Sequence, residues 1–206
     1  MKTALLILLT LLFITAKAQD TISTNKLISK ERLGVNNRNF KLDGFYYRKS
    51  SSVNLVNDTV NYIHPMIFFK EGTVKGFDYI GNTSSTLRFK KQGQKCILKP
   101  RSDFKTIIDF FKCYASIVKL KEIYSVYSIE GDELRIQALG TDFFTETRGR
   151  VLNDSTFIIT KSINYGTKEV VDKNYTYQFH ASKKPDSTKY KPSSVIQKYY
   201  LKQSND

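Results

Sequence analysis

The stretch Glu169 to Ala181 changes character at every step. Val171, Tyr175, Tyr177 and Phe179 fall on one side, with Lys173 the only charge among them. Asp172, Asn174, Thr176, Gln178 and His180 fall on the other. A period of two belongs to a β-strand, whose successive side chains point to opposite faces. One apolar and one polar face describe an antiparallel sheet with a core on one side and water on the other. Such a strand needs partners of the same kind, so most of the chain is committed to a β architecture.

Candidate partners recur along the sequence. Phe45 to Arg48 reads as a strand, followed by a polar loop from Ser50 to Asn61. Met66 to Lys70 and Thr73 to Ile80 read as a hairpin about Glu71-Gly72, with Pro65 suited to a strand start or edge. Thr86 to Lys91 and Lys95 to Lys99 flank Gln92-Gly93-Gln94. Glu122 to Ile129 and Leu134 to Leu139 flank a turn with Gly131 in a left-handed conformation. Phe144 to Leu152 and Ser155 to Ser162 flank Asn153-Asp154, and Asn164 to Thr167 makes the turn before the last strand. The 13 Tyr and 14 Phe, with Ile, Val and Thr, favour half-buried pleated surfaces. The predicted fold is mainly β: an antiparallel barrel or strongly curved sheet of about 9–10 strands, closed to hide its edges.

One segment breaks the pattern. After Pro100, the positions Phe104, Ile107, Ile108, Phe111, Ala115 and Val118 follow helical spacing, opposite Lys105, Asp109, Lys112, Ser116 and Lys119. Ser102 suits the N-cap and Asp103 the first turn. One mid-chain amphipathic helix is predicted over about 103–120. A helix packed on a barrel with a wet outer face accounts for the lysines at 105, 112 and 119 better than a membrane-surface helix does. Cys96 and Cys113 are the only cysteines. In an exported chain such a pair is a disulfide candidate, but Cys113 falls near the polar side of the helical wheel, so a shielded thiol is the alternative.

Export is the expectation from the first residues. Met1-Lys2-Thr3, the apolar run Ala4 to Ile14, and Ala16-Lys17-Ala18 have the form of a signal peptide, with cleavage expected between Ala18 and Gln19. The apolar run falls short of the roughly 20 residues that span a bilayer, so no transmembrane segment is expected. The destination is periplasmic or extracellular. The division that follows is a signal peptide over 1–18, a leader over 19–43, a β domain over 44–182 and a polar tail over 183–206. The tail's apolar patch, Val195-Ile196 with Tyr199-Tyr200-Leu201, reads as a short docked helix. Loss of Lys2 and Lys17 lowers the formal charge from +14 to +12. That charge suits a soluble surface, and secondarily a polyanionic partner in the cell envelope or outside it.

No catalytic signature is present. His64 and His180 lack a nucleophile motif around them, and two Cys and two His far apart give no zinc spacing. Glu130, Asp132 and Glu133 lack the spacing of a calcium loop and read as a solvated hairpin tip. No catalytic, metal-binding or cofactor residue is assigned, no nucleic-acid motif appears, and no ligand-binding residue is singled out. Paired carboxylates for glycan hydrolysis would have to come from distant strands.

The phrases Leu42-Asp43-Gly44-Phe45-Tyr46-Tyr47, Phe68-Phe69-Lys70-Glu71-Gly72-Thr73-Val74, Tyr127 to Gln137 and Arg148 to Phe157 resemble those of uncharacterised secreted bacterial proteins of lipocalin-like type. The resemblance spans about Leu42 to Phe179. It implies a small antiparallel barrel with an interior ligand site. The chain departs from true lipocalins in having no Trp, hence no G-x-W, and in placing its helix mid-chain. The functional expectation is a non-enzymatic binding protein for a small apolar or amphipathic ligand. A polyanion binder is the first alternative and a glycan- or lipid-acting enzyme the second.

Overall fold

The computed structural model describes residues 27–35, 40–53, 57, 59–76, 80–81, 87–91, 94–98, 122–140, 143–183 and 190–201. Its strands are β1 (Gly34–Val35), β2 (Gly44–Val53), β3 (Thr59–Phe68), β4 (Thr73–Gly76), β5 (Ile80–Gly81), β6 (Leu87–Lys91), β7 (Gln94–Leu98), β8 (Glu122–Ile123), β9 (Ser125–Glu130), β10 (Glu133–Leu139), β11 (Phe144–Asn153), β12 (Thr156–Asn164), β13 (Glu169–Ala181) and β14 (Lys191–Pro192). A short helix, α1 (Ser194–Ile196), continues as a π-helical turn over Gln197–Leu201. The predicted helix over 103–120, Cys113, the side chain of Cys96 and the signal segment lie outside the described residues.

Eight strands close on themselves. β2, β3, β4, β9, β10, β11, β12 and β13 each pair antiparallel with the next, and β13 returns to β2. This is an up-and-down barrel interrupted once, between β4 and β9, by the segment that carries β5 to β8. The turns follow the residues that permit them. Gly72 sits at φ +84° between β3 and β4, and a Cβ there would lie 2.6 Å from the Leu33 Cβ, so only glycine fits. Gly131 takes φ +60° at the β9–β10 tip. At the β12–β13 turn the Asn164 Oδ1 accepts from the backbone N–H of Gly166 at 3.0 Å and of Thr167 at 3.2 Å.

The polar stretch after Ser50 is not a loop for most of its length. β2 and β3 run through it as a ladder, with Ser50 opposite Tyr62 and Val53 opposite Thr59. The barrel wall supplies the pairing partners that local composition gives no sign of, and tertiary context overrides propensity.

The interior divides into two halves. Every barrel strand contributes to one core: Tyr46, Phe68, Val74, Tyr127, Ile129, Leu134, Ile136, Val151, Phe157, Ile159 and Tyr177, with Phe40 entering from the leader. The rings interlock at the end bounded by the β3–β4, β9–β10 and β11–β12 turns. Phe40 stacks on Tyr46 at 4.7 Å, Phe157 on Tyr177 at 4.8 Å, and Phe68 meets Tyr127 edge-on at 4.8 Å. The Tyr127 hydroxyl donates to the Phe69 carbonyl at 2.8 Å and that of Tyr46 to the Asp154 carbonyl at 3.1 Å, so neither phenol is buried unsatisfied. This half is packed with side chains.

A second core covers the outside of the wall. Ile28, Val126, Leu139, Phe144, Ile196 and Tyr200 pack together there, joining leader, barrel and C-terminal helix. Ser193 caps that helix, its Oγ accepting from the Ile196 N–H. β1 lies parallel against β9, through Gly34–Ser128 and Val35–Ile129.

The outer core is built around a buried charge. Glu146 is 0% exposed and pairs with Arg135 at 2.8 Å and Arg148 at 2.5 Å. It also accepts from Gln137 Nε2 at 2.5 Å. The Gln137 Oε1 in turn accepts from the Ile28 N–H at 2.9 Å and the Tyr200 hydroxyl at 2.7 Å. One carboxylate thus organises the attachment of both flanking segments.

Burial pushes the Glu146 carboxyl up, but the hydrogen bonds from Arg135, Gln137 and Arg148 outweigh it and hold the carboxyl below its ordinary range. A depressed folded pKa gives stability that is present above the ordinary glutamate range and is lost as pH falls through the folded value. Glu146→Gln is expected to cost about 3 kcal/mol at neutral pH, by analogy with broken buried ion pairs. Urea unfolding at pH 7 and at mildly acidic pH checks both parts: the variant is less stable at pH 7, and its stability falls less steeply than the native protein's on acidification.

Candidate functional site: the less buried half of the barrel

The other half of the interior is lined differently. Register places Arg48, Ser50, Tyr62, His64 and Met66 of β2 and β3 on the same inward side as Tyr46 and Phe68. Thr145 and Thr147 of β11 face Asn164 and Ser162 of β12, on the inward side of Ile136. Val171, Lys173 and Tyr175 of β13 continue the inward row of Tyr177 and Phe179. Each of these mouth residues is partly exposed, whereas Tyr46, Phe68 and Phe157 are buried. Among the described residues a packed floor therefore gives way to a less buried chamber wall of aromatic, hydroxyl and cationic groups.

The barrel is weakly sewn on one side of this chamber. β13 pairs with β2 through four residue pairs, from Ala181–Gly44 to Gln178–Tyr47. Beyond them, among the described strands, β2 pairs with β3 and β13 with β12. The ladder stops where Arg48 begins. Its guanidinium carbon lies 4.1 Å from the centroid of the Tyr175 ring, across the seam. The Lys173 ammonium lies 5.5 Å from the same ring. Burial raises the Tyr177 hydroxyl above its ordinary pKa, and the adjacent Arg48 opposes that shift.

These cations are poorly compensated. Among the described residues neither Arg48 nor Lys173 has a carboxylate partner. The Arg48 Nε is buried without a hydrogen-bond partner. Cation–π contact is worth about 0.5–2 kcal/mol and does not neutralise charge. A buried donor left unsatisfied costs about 1–3 kcal/mol. The inward register of the chamber offers one carboxylate, Glu169 at the rim. The paired carboxylates that glycan hydrolysis needs therefore do not converge in this chamber among the described residues.

The outer wall holds a second polar recess, of about 250 Å³, lined by Arg32, Ser128, Glu130, Glu133, Arg135 and Arg148. Its charges satisfy one another: Arg32 meets Glu130 at 3.5 Å, while Arg135 and Arg148 hold Glu146. What sets Arg48 and Lys173 apart is that neither has a carboxylate partner among the described residues.

The two histidines part company. His64 faces the chamber with its Nε2 2.7 Å from the Ser50 Oγ. His180 lies on the outer side of β13, its ring 5.1 Å from that of Phe45. Glu130, Asp132 and Glu133 form the expected hairpin tip, with Asp132 paired to Arg150. Among the described residues no cluster of metal-ligating side chains is found.

The signal for Lys173 was visible in the sequence as the one charge on an otherwise apolar face. Arg48 gave no comparable sign, because it stood at the edge of a stretch read as loop.

Arg48→Met removes an unsatisfied buried donor but also the hydrogen-bond partner of the buried Tyr177 hydroxyl, so stability is expected to stay within about 2 kcal/mol of native. Guanidinium chloride unfolding checks this, and a loss above about 2 kcal/mol would assign the guanidinium to holding the seam. Compared with protein families, curated proteins and solved structures, the chain has no match in any of the three.

Proposed function

We propose that the protein is an exported, non-enzymatic binding protein for a small amphipathic molecule, held in the open half of the barrel. One observation carries the reading: the interior is divided into a packed aromatic floor and a partly exposed chamber with polar and aromatic walls. Small-molecule sites are concave, largely apolar and fitted with a few polar groups that fix orientation. An eight-stranded barrel is about wide enough for side chains or for one small ligand. The floor occupies one half, which leaves the ligand the other and disfavours a purely apolar guest deep in the barrel.

The opening residues of the chain support export. Among the described residues no helix is long and apolar enough to cross a membrane. At the closed end two basic side chains are engaged, Lys41 with Asp154 at 2.9 Å and Arg150 with Asp132 at 2.5 Å, which reduces the free positive charge offered to a polyanion there. These observations favour the ligand reading over the polyanion one.

Titration with a neutral naphthylamine probe tests the reading. Saturable binding at one site per chain is expected, and Thr147→Trp, which fills the chamber from β11, is expected to weaken it at least about tenfold, or about 1.4 kcal/mol. Thr147→Trp is partly exposed and should leave the thermal midpoint within a few degrees. Absence of saturable binding, or binding indifferent to Thr147→Trp, overturns it.

A further inference from the structure

We infer that Arg48 and Lys173 form the recognition point for an anionic head group on the amphipathic ligand, a carboxylate or a phosphate monoester, with the Tyr175 ring as its wall. The inference rests on the binding reading above and adds the ligand's charge and orientation.

The charges on the two strands reinforce one another. Arg48 and Lys173 converge on a single ring from β2 and β13, the strands that flank the unsewn part of the seam. Two cations sharing one aromatic partner repel each other, and among the described residues no carboxylate relieves them. The buried Nε of Arg48 remains a donor without an acceptor. A planar guanidinium matches the paired oxygens of a carboxylate or phosphate, and a flexible ammonium adds a second point of charge. An oxyanion seated there would satisfy the open donor and separate the cations with negative charge. The inward faces of Ile159, Met66 and Val171 supply apolar contact for the remainder of the ligand. Where Glu146 is buried, by contrast, two arginines answer it.

Displacement of the neutral probe by decanoate, decyl phosphate and decan-1-ol at pH 7.5 tests the head group apart from the tail. The native protein is expected to prefer at least one of the two anions over the alcohol by about tenfold or more. Arg48→Met and Lys173→Met are each expected to erode that preference severalfold while leaving the alcohol's displacement unchanged. Lys173→Met serves as the second variant should Arg48→Met disturb the seam, and far-ultraviolet circular dichroism confirms that each is folded. Equal displacement by alcohol and anions overturns the head-group inference and leaves the binding reading standing. So does a preference that survives both variants. Displacement by inorganic phosphate alone, dependent on Arg48, assigns the site to a free oxyanion and overturns the head-group assignment. If the probe binds nowhere and neither the alcohol nor the anions bind by calorimetry, the binding reading falls and the inference with it.

Discussion

The interlocked rings at the closed end are the constraint from which the rest follows. Phe40, Tyr46, Phe68, Tyr127, Phe157 and Tyr177 come from the leader and from five different strands. Each ring touches neighbours across the barrel axis, as Phe68 does with Phe157 at 5.7 Å and Tyr46 with Phe157 at 5.1 Å. Such pairs contribute about 0.5–1.5 kcal/mol each beyond the area they bury. Packing of this kind fixes the strand registers, because a slip of one residue would turn every ring outward. It also decides where function resides. With one half of the interior filled by rings, the less buried inward side chains lie in the other, where the proposed ligand would sit.

Charge is handled in opposite ways on the two sides of the same wall. On the outer side, Glu146 sits fully buried and is answered by two arginines and an amide, and the attachment of Ile28 and Tyr200 hangs on that satisfied network. On the inner side, Arg48 and Lys173 share one phenol ring without a carboxylate. A polar network that is complete rigidifies a structure, whereas an incomplete one carries a standing energetic cost. The first is a structural device, and the second is what the proposed anionic head group would complete.

How much of this was legible in the sequence depended on whether the deciding interaction was local. Alternation in Glu169 to Ala181 and the turn residues Gly72, Gly131 and Asn153 foretold strands and hairpins, because period and turn chemistry act over a few residues. Ser50 to Ser52 were misread as loop. Their strand conformation comes from a ladder with Tyr62 to Val60, in which Ser50 faces the interior while Ser51 and Ser52 are exposed. The leader's Ile28 and Phe40 are buried parts of the two cores, Ile28 through Gln137, 109 residues on, and Phe40 through Phe68 and Phe157 as well as the nearby Tyr46, contacts that no local pattern announces. The seam was invisible for the same reason: Arg48 and Tyr175 meet only because the barrel closes.

The seam has a consequence for how the molecule is made. Its outer face is marked by Tyr47 and Gln178, hydrogen-bonded across a separation of 131 residues. Closing a loop of that length carries an entropic cost that no earlier pairing defrays, and contacts of such span are the slow ones in folding. A chain emerging from its N-terminus lays down β2 first and cannot seal the cylinder until β13 follows. Until then β2 has an open edge and the aromatic floor lacks Tyr177 and Phe179. The polypeptide therefore stays unsealed through nearly all of its synthesis and becomes a barrel only with its last long strand.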